Sequence, residues 1–151
     1  MKIIMATGTF DLLHPGHGLY LQKAKDLGGK YSKLIVVIAR DSTVRRKKRI
    51  PIVDESQRLK MIKMLKSVNE AYLGHTTDKF KIVRDLQPDI IAIGSDQSYE
   101  IDQLKKDLEK QGIRCDVRRV SNYRKAELDS TCKIIKKIRH SDFSEKSLKD
   151  C

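Results

Sequence analysis

The sequence predicts an α/β fold, a Rossmann-like, doubly wound parallel sheet of five strands in a single domain. Its 151 residues suit one domain with a proper core. Short, continuous apolar runs alternate along the chain with segments of helical period. Runs of that kind are typical of strands covered on both faces, and right-handed crossovers between them favour the strand order 3-2-1-4-5.

The predicted strands differ in strength. Three are β-branched and continuous: Lys2–Thr7, Leu34–Ala39 and Asp89–Gly94. Two are weaker: Val68–Gly74 and Ile113–Val120. Together with the helices they give a βαβαβαβαβα pattern.

Five helices are predicted. The first runs from about Pro15 to Leu27, with proline at its start and Gly28-Gly29 after its end. The second begins at Asp54, where Gln57 can complete a variant of the capping box. The others are Thr77–Leu86, a segment with Ile101, Leu104 and Leu108 on one face that ends at Gly112, and a segment after Asp129–Thr131 with Cys132, Ile135 and Ile138 on one stripe.

The domain is predicted to span residues 1–140, followed by a polar, aperiodic and flexible tail at residues 141–151. No apolar run approaches the roughly 20 residues that cross a bilayer, so no membrane partner is expected. The cysteines are widely spaced and form no C-x-x-C pair, which favours reduced thiols and a cytoplasmic location. They are Cys115, Cys132 and Cys151.

The net charge of +12 indicates an anionic partner: nucleic acid, an anionic membrane or a phosphorylated small molecule. The run Arg45–Arg49 has three interpretations, namely a solvated loop, a phosphate-binding loop or a nucleic-acid contact. No aromatic side chain interrupts the run, so it offers no base-stacking platform. Nucleic acid is therefore not the expected partner.

Polar, glycine-containing and basic segments follow four of the predicted strands. They are "TGTF", "RDSTVRRKKR", "GSDQ" and "RRVSNYRKAELDST". Because ligands of such folds lie beyond the carboxyl ends of the strands, these segments predict a binding crevice between the first and fourth strands.

His14 and His17 lie where the first strand gives way to the first helix. A helix N-terminus binds anions, and a spacing of three lets both imidazoles donate to one phosphate. Gly8 and Gly16 remove Cβ atoms where a phosphate would approach. A purely structural pair and a zinc site are the alternatives. Zinc catalysis needs a third protein ligand, which is not evident, so no metal ligand is assigned.

The stretch "GTFDLLHPGH" resembles the signature of the H-x-G-H nucleotidyltransferase superfamily, in its cytidylyltransferase-like branch. Three further segments are similar to archaeal-type FAD synthases, which are small FMN adenylyltransferases: "ARDSTVRRKKRIPIVDESQRLKMI", "QPDIIAIGSDQ" and "NYRKAELDSTCKIIKKI". The resemblance covers Lys2–Arg139. Glycerol-3-phosphate cytidylyltransferases are nearly as similar at the N-terminus, but they typically show "GDDW" for "GSDQ" and "RTxGIST" for "NYRKAELDST".

The resemblance implies a nucleotidyltransferase-type fold and transfer of AMP from ATP to FMN. FAD and pyrophosphate would form by in-line attack on the α-phosphate, with Mg²⁺ bound mainly through substrate phosphates. One alternative is transfer of CMP from CTP to a small phosphoalcohol. The other is a basic nucleotide- or nucleic-acid-binding module without turnover. Relatives are often dimeric, so a homodimer is compatible with the resemblance.

The site residues follow from the motifs and the resemblance. Catalytic roles are expected for His14, His17 and Lys47, and further phosphate contacts for Arg46, Lys48 and Arg49. Nucleotide contacts are expected for Thr9, Phe10, His14, Pro15, Gly16, His17, Asp96, Tyr123, Ser130 and Thr131. Asp96 could instead cap a turn or helix, and Ser130 and Thr131 could only cap the fifth helix. Tyr123, with Arg124 and Lys125, could form a mobile flap or a solvated loop.

Overall fold

A computed structural model of the protein describes residues 1–149 and residue 151. Its strands are β1 (Lys2–Gly8), β2 (Ser32–Ile38), β3 (Glu70–Leu73), β4 (Ile90–Gly94) and β5 (Asp116–Val120). They form one parallel sheet in the order β3-β2-β1-β4-β5, which confirms the predicted fold class and strand order.

The helices are α1 (Pro15–Asp26), α2 (Asp41–Lys47), α3 (Glu55–Lys63), α4 (Lys81–Leu86), α5 (Ile101–Lys110), α6 (Thr131–Arg139) and α7 (Glu145–Leu148). No helix among the described residues has both the length and the apolar character needed to cross a membrane.

Side chains alternate between the two faces along each strand, and helices cover both faces, so the sheet is buried on both sides. On β1, Ile4 and Ala6 point toward α1 and α3, where they join Leu21 and Ile62 in one apolar core. Met5 points to the opposite face and joins the core beneath α4 and α5. Each face therefore has its own helical layer, as the continuous apolar runs predict.

The strand β1 lies at the centre of the sheet, paired with β2 on one side and β4 on the other. Chain connections leave these two neighbours in opposite directions, so the crevice at their carboxyl ends is the topological switch point. The segment after β1 therefore opens directly into that crevice.

Two helices differ from the predictions. The prediction of a loop at the start of the basic run is wrong, because helix α2 extends through Lys47. Val44 is its one buried side chain, so the helix has no apolar stripe for a periodicity argument to detect. Helix α4 begins only at Lys81, because Asp78 accepts a hydrogen bond from the Phe80 N–H (2.9 Å) in a turn.

The tail contains one short helix, α7, where the sequence predicts an aperiodic segment. The Ser144 hydroxyl caps this helix by accepting a hydrogen bond from the Ser147 N–H (3.2 Å). A single turn has no room for an apolar period, which is why the sequence does not indicate it. Flexibility of residues 141–151 stays a prediction, and residue 150 lies outside the described residues.

Candidate active site

The two histidines of the motif lie face to face at the mouth of the crevice. Their ring centroids are 3.7 Å apart, with an interplanar angle of 24°. His14 is the N-cap residue of α1, yet it makes no side-chain capping hydrogen bond, and the first turn contains no acidic side chain. No side chain therefore compensates the positive dipole end of α1, although the His17 N–H donates to the His14 carbonyl (3.0 Å).

Both imidazoles have a buried ring nitrogen without a partner. Nδ1 of His14 and Nδ1 of His17 are inaccessible to solvent and make no hydrogen bond, whereas neither Nε2 atom is buried in this way. At a buried ring nitrogen, an N–H without an acceptor raises the free energy of the folded state more than a lone pair without a donor does. The arrangement therefore favours the tautomer that carries its proton on Nε2 and can donate outward.

The histidine pair is neutral near pH 7. Burial, followed by the charge that His14 would carry beside it, lowers the pKa of His17 to about 3. Burial also lowers the pKa of His14, while the carboxylate of Asp129 works in the opposite direction. Neutral imidazoles in a poorly solvated position are well suited to donating hydrogen bonds toward charge that a ligand brings.

Phe10 is a packing residue in this structure. Its ring is 3% exposed and lies 5.2 Å from the His17 ring and 6.4 Å from the Tyr20 ring, measured between centroids. A Cβ added at Gly8 would come within 2.8 Å of the Phe10 ring, and Phe10 itself has φ of 53°. The glycine therefore makes room for Phe10, which in turn supports the His17 ring.

Gly16 makes room for protein atoms rather than leaving open space. A Cβ there would come within 2.8 Å of the Asp129 carbonyl oxygen and 2.9 Å of the His14 ring. The sequence predicts that Gly8 and Gly16 lack a Cβ so that a phosphate can approach. In the structure, protein atoms occupy the space beside both glycines instead. Both glycines still act on the site, because they set where the imidazoles lie. The adjacent Pro15 is exposed at the first turn of α1.

The start of α6 packs against the motif. The Thr131 hydroxyl donates to the Leu12 carbonyl (3.2 Å), and the Ser130 hydroxyl accepts from the Lys133 N–H (3.1 Å) as the helix cap. Capping is thus the observed role of Ser130, and a nucleotide contact stays a prediction for both hydroxyls. Asp129 is 4% exposed and pairs with the Lys133 ammonium (2.8 Å).

Asp11 ties the motif to the basic segment. Its carboxylate is 4% exposed and accepts hydrogen bonds from the backbone N–H groups of Ile52 (2.9 Å) and Val53 (2.7 Å) and from Arg49. Desolvation opposes ionisation, but these donors outweigh it and hold the pKa of Asp11 below its ordinary value. Arg49 is therefore engaged by the protein, which leaves less of its charge for phosphate than the sequence predicts.

Arg58 is a buried arginine that the motifs do not identify as a site residue. Its guanidinium is 1% exposed and donates to the carbonyls of Thr9 (2.6 Å), Ala39 (2.9 Å) and Val53 (2.9 Å), and to the Asp41 carboxylate (2.6 Å). One side chain thus joins the ends of β1 and β2 to the segment before α3.

The other cations of the run face solvent. Arg46 makes an exposed hydrogen bond to the Thr76 carbonyl (3.3 Å). Lys47 and Lys48 are exposed, and within the described residues neither side chain has a hydrogen-bond or ion-pair partner. Their charge is consequently available to an anion, but the structure holds their side chains only loosely.

Asp96 lies two residues after the end of β4 and is held by two side chains. It accepts hydrogen bonds from the Tyr123 hydroxyl (2.7 Å) and from Arg124 (3.0 Å). Desolvation opposes its ionisation, but these partners keep the pKa of Asp96 below its ordinary value. The Tyr123 hydroxyl also accepts from the Ser95 N–H (2.9 Å).

The expectation of a mobile flap fails for Tyr123. The side chain is 6% exposed, and its ring lies 5.4 Å from the Tyr20 ring between centroids. A Cβ at Gly94 would come within 2.8 Å of the Tyr123 hydroxyl, so glycine is needed for this close approach. Tyr123 therefore positions Asp96, while Arg124 and Lys125 remain exposed.

Gln97 links the ends of β1 and β4 beneath the crevice, a role that the sequence does not predict. Its side-chain amide donates to the Thr7 carbonyl (3.0 Å), and its side-chain oxygen accepts from the Gly94 N–H (2.7 Å). Arg119 holds the same loop by donating to the carbonyls of Gly94 (2.9 Å) and Tyr99 (2.6 Å). An isolated glutamine or arginine has no sequence signature for such bonds, because their partners are main-chain atoms distant in sequence.

The described residues contain no cluster of three or more histidine, cysteine or acidic side chains suited to a metal ion. The carboxylates nearest the crevice, Asp11, Asp41 and Asp96, are already occupied by protein donors.

The arrangement of paired histidines, open helix terminus and basic segment matches a known family. A family model described as cytidylyltransferase-like matches residues 5–137. The chain belongs to the cytidylyltransferase-like family. It is thus a nucleotidyltransferase, as the H-x-G-H motif indicates.

Curated relatives are similar over the whole chain. The FAD synthase of Methanothermobacter thermautotrophicus is 60% identical over 151 residues, covering 100% of both chains. The FAD synthase of Methanobrevibacter ruminantium is 63% identical over 142 residues, covering 94% of this chain and 95% of that one. These relatives confirm the resemblance to the archaeal-type branch.

A solved structure agrees with the fold. The lipopolysaccharide core biosynthesis protein from Thermoplasma volcanium GSS1 superposes with a TM-score of 0.78, at 46% identity, over 82% of this chain and 98% of that chain. The family's architecture therefore extends over the sheet and the helices that surround the crevice.

Proposed function

We propose that this nucleotidyltransferase transfers AMP from ATP to FMN, giving FAD and pyrophosphate. The observation that carries the proposal is the full-length identity of 60% to a relative named FAD synthase. The paired imidazoles at an uncapped helix N-terminus support the phosphate chemistry that such a reaction requires.

The reaction is a direct displacement. A phosphate oxygen of FMN attacks the α-phosphorus of ATP, the bond to the α–β bridging oxygen breaks, and pyrophosphate leaves with its electron pair. The attacking oxygen is already anionic, so no proton has to leave it. The protein's task is to place the reactants and to stabilise charge that develops on the phosphates.

His14 and His17 are proposed as the principal donors to that charge. Their neutral Nε2–H groups, together with the N-terminus of α1, would meet the phosphate oxygens at the end of β1. Removing one preorganised donor of this kind typically costs about 10²–10³ in kcat. Lys47, with Arg46 and Lys48, would hold the outer phosphates as exposed cations.

The other nucleotide contacts are proposed from their positions around the crevice. Asp96 is exposed beyond β4 and suits hydrogen bonds from ribose hydroxyls, with Tyr123 fixing its orientation. Thr9 is half-buried directly after β1, and Ser130 and Thr131 begin α6 beside the motif. Mg²⁺ would be held by substrate phosphates and water and would supply charge neutralisation when bound.

The experiment is a matrix of substrates. Purified protein with Mg²⁺ receives ATP or CTP together with FMN or glycerol 3-phosphate, and pyrophosphate release is measured. We expect turnover with ATP and FMN. Turnover with CTP and glycerol 3-phosphate, and none with FMN, would instead establish cytidylyl transfer. The His14→Ala variant tests the site, and His140→Ala, at an exposed histidine outside it, is the matched control.

The same assay separates the enzyme from a binding module without turnover. Such a module would keep its function in His14→Ala, and it would bind polynucleotide with steep salt dependence through the basic run. A homodimer and a cytoplasmic location stay predictions, and light scattering of the purified protein measures the first.

A further inference from the structure

The two central strands of the sheet part before either of them ends. Pairing between β1 and β4 covers Ile4–Ala6 and Ile90–Ala92. Beyond that point β1 continues to Gly8 in pairing with β2, and β4 continues to Gly94 in pairing with β5. The last two residues of each strand therefore border a gap, and this gap is the floor of the crevice at the topological switch point.

Tyr20, a residue of α1, spans the gap from the side of that helix. Its hydroxyl lies 3.2 Å from the Thr7 carbonyl oxygen on β1 and 3.0 Å from the Ala92 carbonyl oxygen on β4. A hydroxyl has one proton to donate, so the two strand ends share it. The Tyr20 ring is buried between the rings of Phe10 and Tyr123, at centroid distances of 6.4 Å and 5.4 Å. The hydroxyl is therefore held at a fixed position between the strands.

Gln97, in the loop between β4 and α5, spans the gap from the opposite side. Its side-chain amide donates to the Thr7 carbonyl (3.0 Å) and to the Thr7 hydroxyl (3.3 Å), and its side-chain oxygen accepts from the Gly94 N–H (2.7 Å). The main chain of Gln97 is fixed as well, because its N–H donates to the Gly94 carbonyl (3.1 Å) and its carbonyl accepts from Arg119 (3.1 Å). Side-chain hydrogen bonds thus join the strand ends where the pairing between β1 and β4 stops.

The gap separates the two groups of residues that are proposed to hold the nucleotide. The chain runs from the end of β1 into Thr9 and the motif with His14 and His17, and from the end of β4 into Asp96. The phosphate donors and the proposed ribose contact therefore follow different strands. Their spacing depends on how far apart those strands end, and a misplacement of about 1 Å can cost about 10²-fold in rate.

We propose that Tyr20 and Gln97 are positioning residues, which hold the carboxyl ends of β1 and β4 at the separation that lets one nucleotide contact the histidine pair and Asp96 together. They act through the strand ends rather than by contact with the nucleotide, and both donate to the Thr7 carbonyl. This inference rests on the proposed function, because it takes the nucleotide to lie across the crevice. It adds the two side chains that set the width of that crevice.

The test compares the binding of a whole nucleotide with the binding of its parts. ATP engages both sides of the crevice, whereas adenosine reports on the side of Asp96 and tripolyphosphate on the side of the histidine pair. Tyr20→Phe and Gln97→Met remove the hydrogen bonds and keep side chains of similar size. Each should weaken ATP binding at least about tenfold and leave both parts within about twofold of wild type, because a linked ligand loses affinity when its two subsites no longer match its length. Calorimetry measures ATP, and NMR titration measures the weaker parts.

Two matched variants make the same chemical changes away from the gap. Tyr31→Phe alters an exposed tyrosine, and Gln103→Met alters an exposed glutamine of α5. Both should bind ATP as wild type does. A cooperative unfolding transition in denaturant shows that each variant is folded. Because Tyr20 is buried in the core, Gln97→Met carries the test if Tyr20→Phe does not fold.

The outcomes distinguish this inference from the proposed function, because every titration is made without FMN. Unchanged ATP affinity in the folded variants would overturn the positioning role. A loss for adenosine or tripolyphosphate as large as the loss for ATP would also overturn it, since the side chain would then act within one subsite. A loss confined to ATP, in a protein that releases no pyrophosphate with FMN, would support the positioning role and reject FAD synthesis. If wild type turns over CTP alone, CTP and cytidine replace ATP and adenosine.

Discussion

The histidine pair and the basic run are both proposed to bind substrate phosphates, yet the protein holds them in opposite ways. The two imidazoles are stacked at 3.7 Å, with buried Nδ1 atoms and with packing from Phe10 and Gly16. The side chains of Lys47 and Lys48 are exposed and have no partners in the described part of the chain. The difference teaches that fixed donors stabilise developing charge, because they need no reorganisation, whereas mobile charges mainly attract.

Removing the fixed donors, His14 and His17, should have the largest effect on activity. We expect His14→Ala and His17→Ala each to lower kcat by about 10²–10³, with smaller effects on ATP affinity. Because the rings touch, the double variant should lose less than the product of the single effects. Steady-state kinetics measure this, with His140→Ala as the control. Loss confined to KM would contradict the fixed-donor role.

A second variant loosens the basic segment without touching its cations. Asp11→Asn removes the carboxylate that Arg49 and the N–H groups of Ile52 and Val53 share. We expect about 2 kcal/mol lower stability, or about thirtyfold in the folding equilibrium, because buried donors lose their acceptor. Denaturant unfolding measures the stability.

The same variant should expose the basic run to protease. Trypsin should cleave Asp11→Asn faster within Arg45–Arg49 than it cleaves wild type, because the segment is no longer anchored. Asp142→Asn, at an exposed position of the tail, is the matched control. Equal cleavage rates in the run would show that Asp11 does not anchor it.

The pKa of the buried histidine makes stability depend on pH. His17 has a folded-state pKa of about 3, whereas an unfolded histidine titrates near 6.5. Between these values the unfolded chain binds the extra proton, so stability falls as the pH is lowered, by at most about 1.4 kcal/mol per pH unit. That is about tenfold per unit in the folding equilibrium.

Comparing variants isolates that contribution. Unfolding free energies at pH 7 and pH 5 should differ less in His17→Asn than in wild type, and His140→Asn should behave as wild type. An identical pH dependence in His17→Asn would mean that His17 is not held neutral by the fold.

The smallest effects are expected from the exposed lysines. Lys47→Ala or Lys48→Ala should weaken ATP binding about fivefold at most, since exposed charges contribute about 1 kcal/mol or less. The loss should shrink at high salt, because screening reduces the wild-type advantage. Calorimetry at two ionic strengths, with Lys146→Ala as control, measures this. A loss of a hundredfold would mean that the substrate orders these side chains.

Strongly apolar segments and local motifs were predictable from sequence. The three continuous β-branched runs became β1, β2 and β4, and "GTFDLLHPGH" identified the end of β1 and the start of α1. Helix α2 was not predictable, because one buried valine carries its packing. Tyr123 was misjudged as a flap residue, since only the folded chain shows that its ring packs on Tyr20.

The sequence by itself determined the layered parallel fold, the family and the position of the histidine pair, because apolar periodicity and local spacing express them within a few residues. Two features were decided only by the tertiary structure. Hydrogen bonds from or to Asp11, Arg58 and Gln97 connect the segments around the crevice, and Gly8 and Gly16 leave room for the rings of Phe10 and His14. Those contacts join atoms far apart in sequence, many of them main-chain carbonyls and N–H groups. Because every residue except proline has the same main-chain N–H and carbonyl groups, the amino-acid sequence does not show which of them will be bonded.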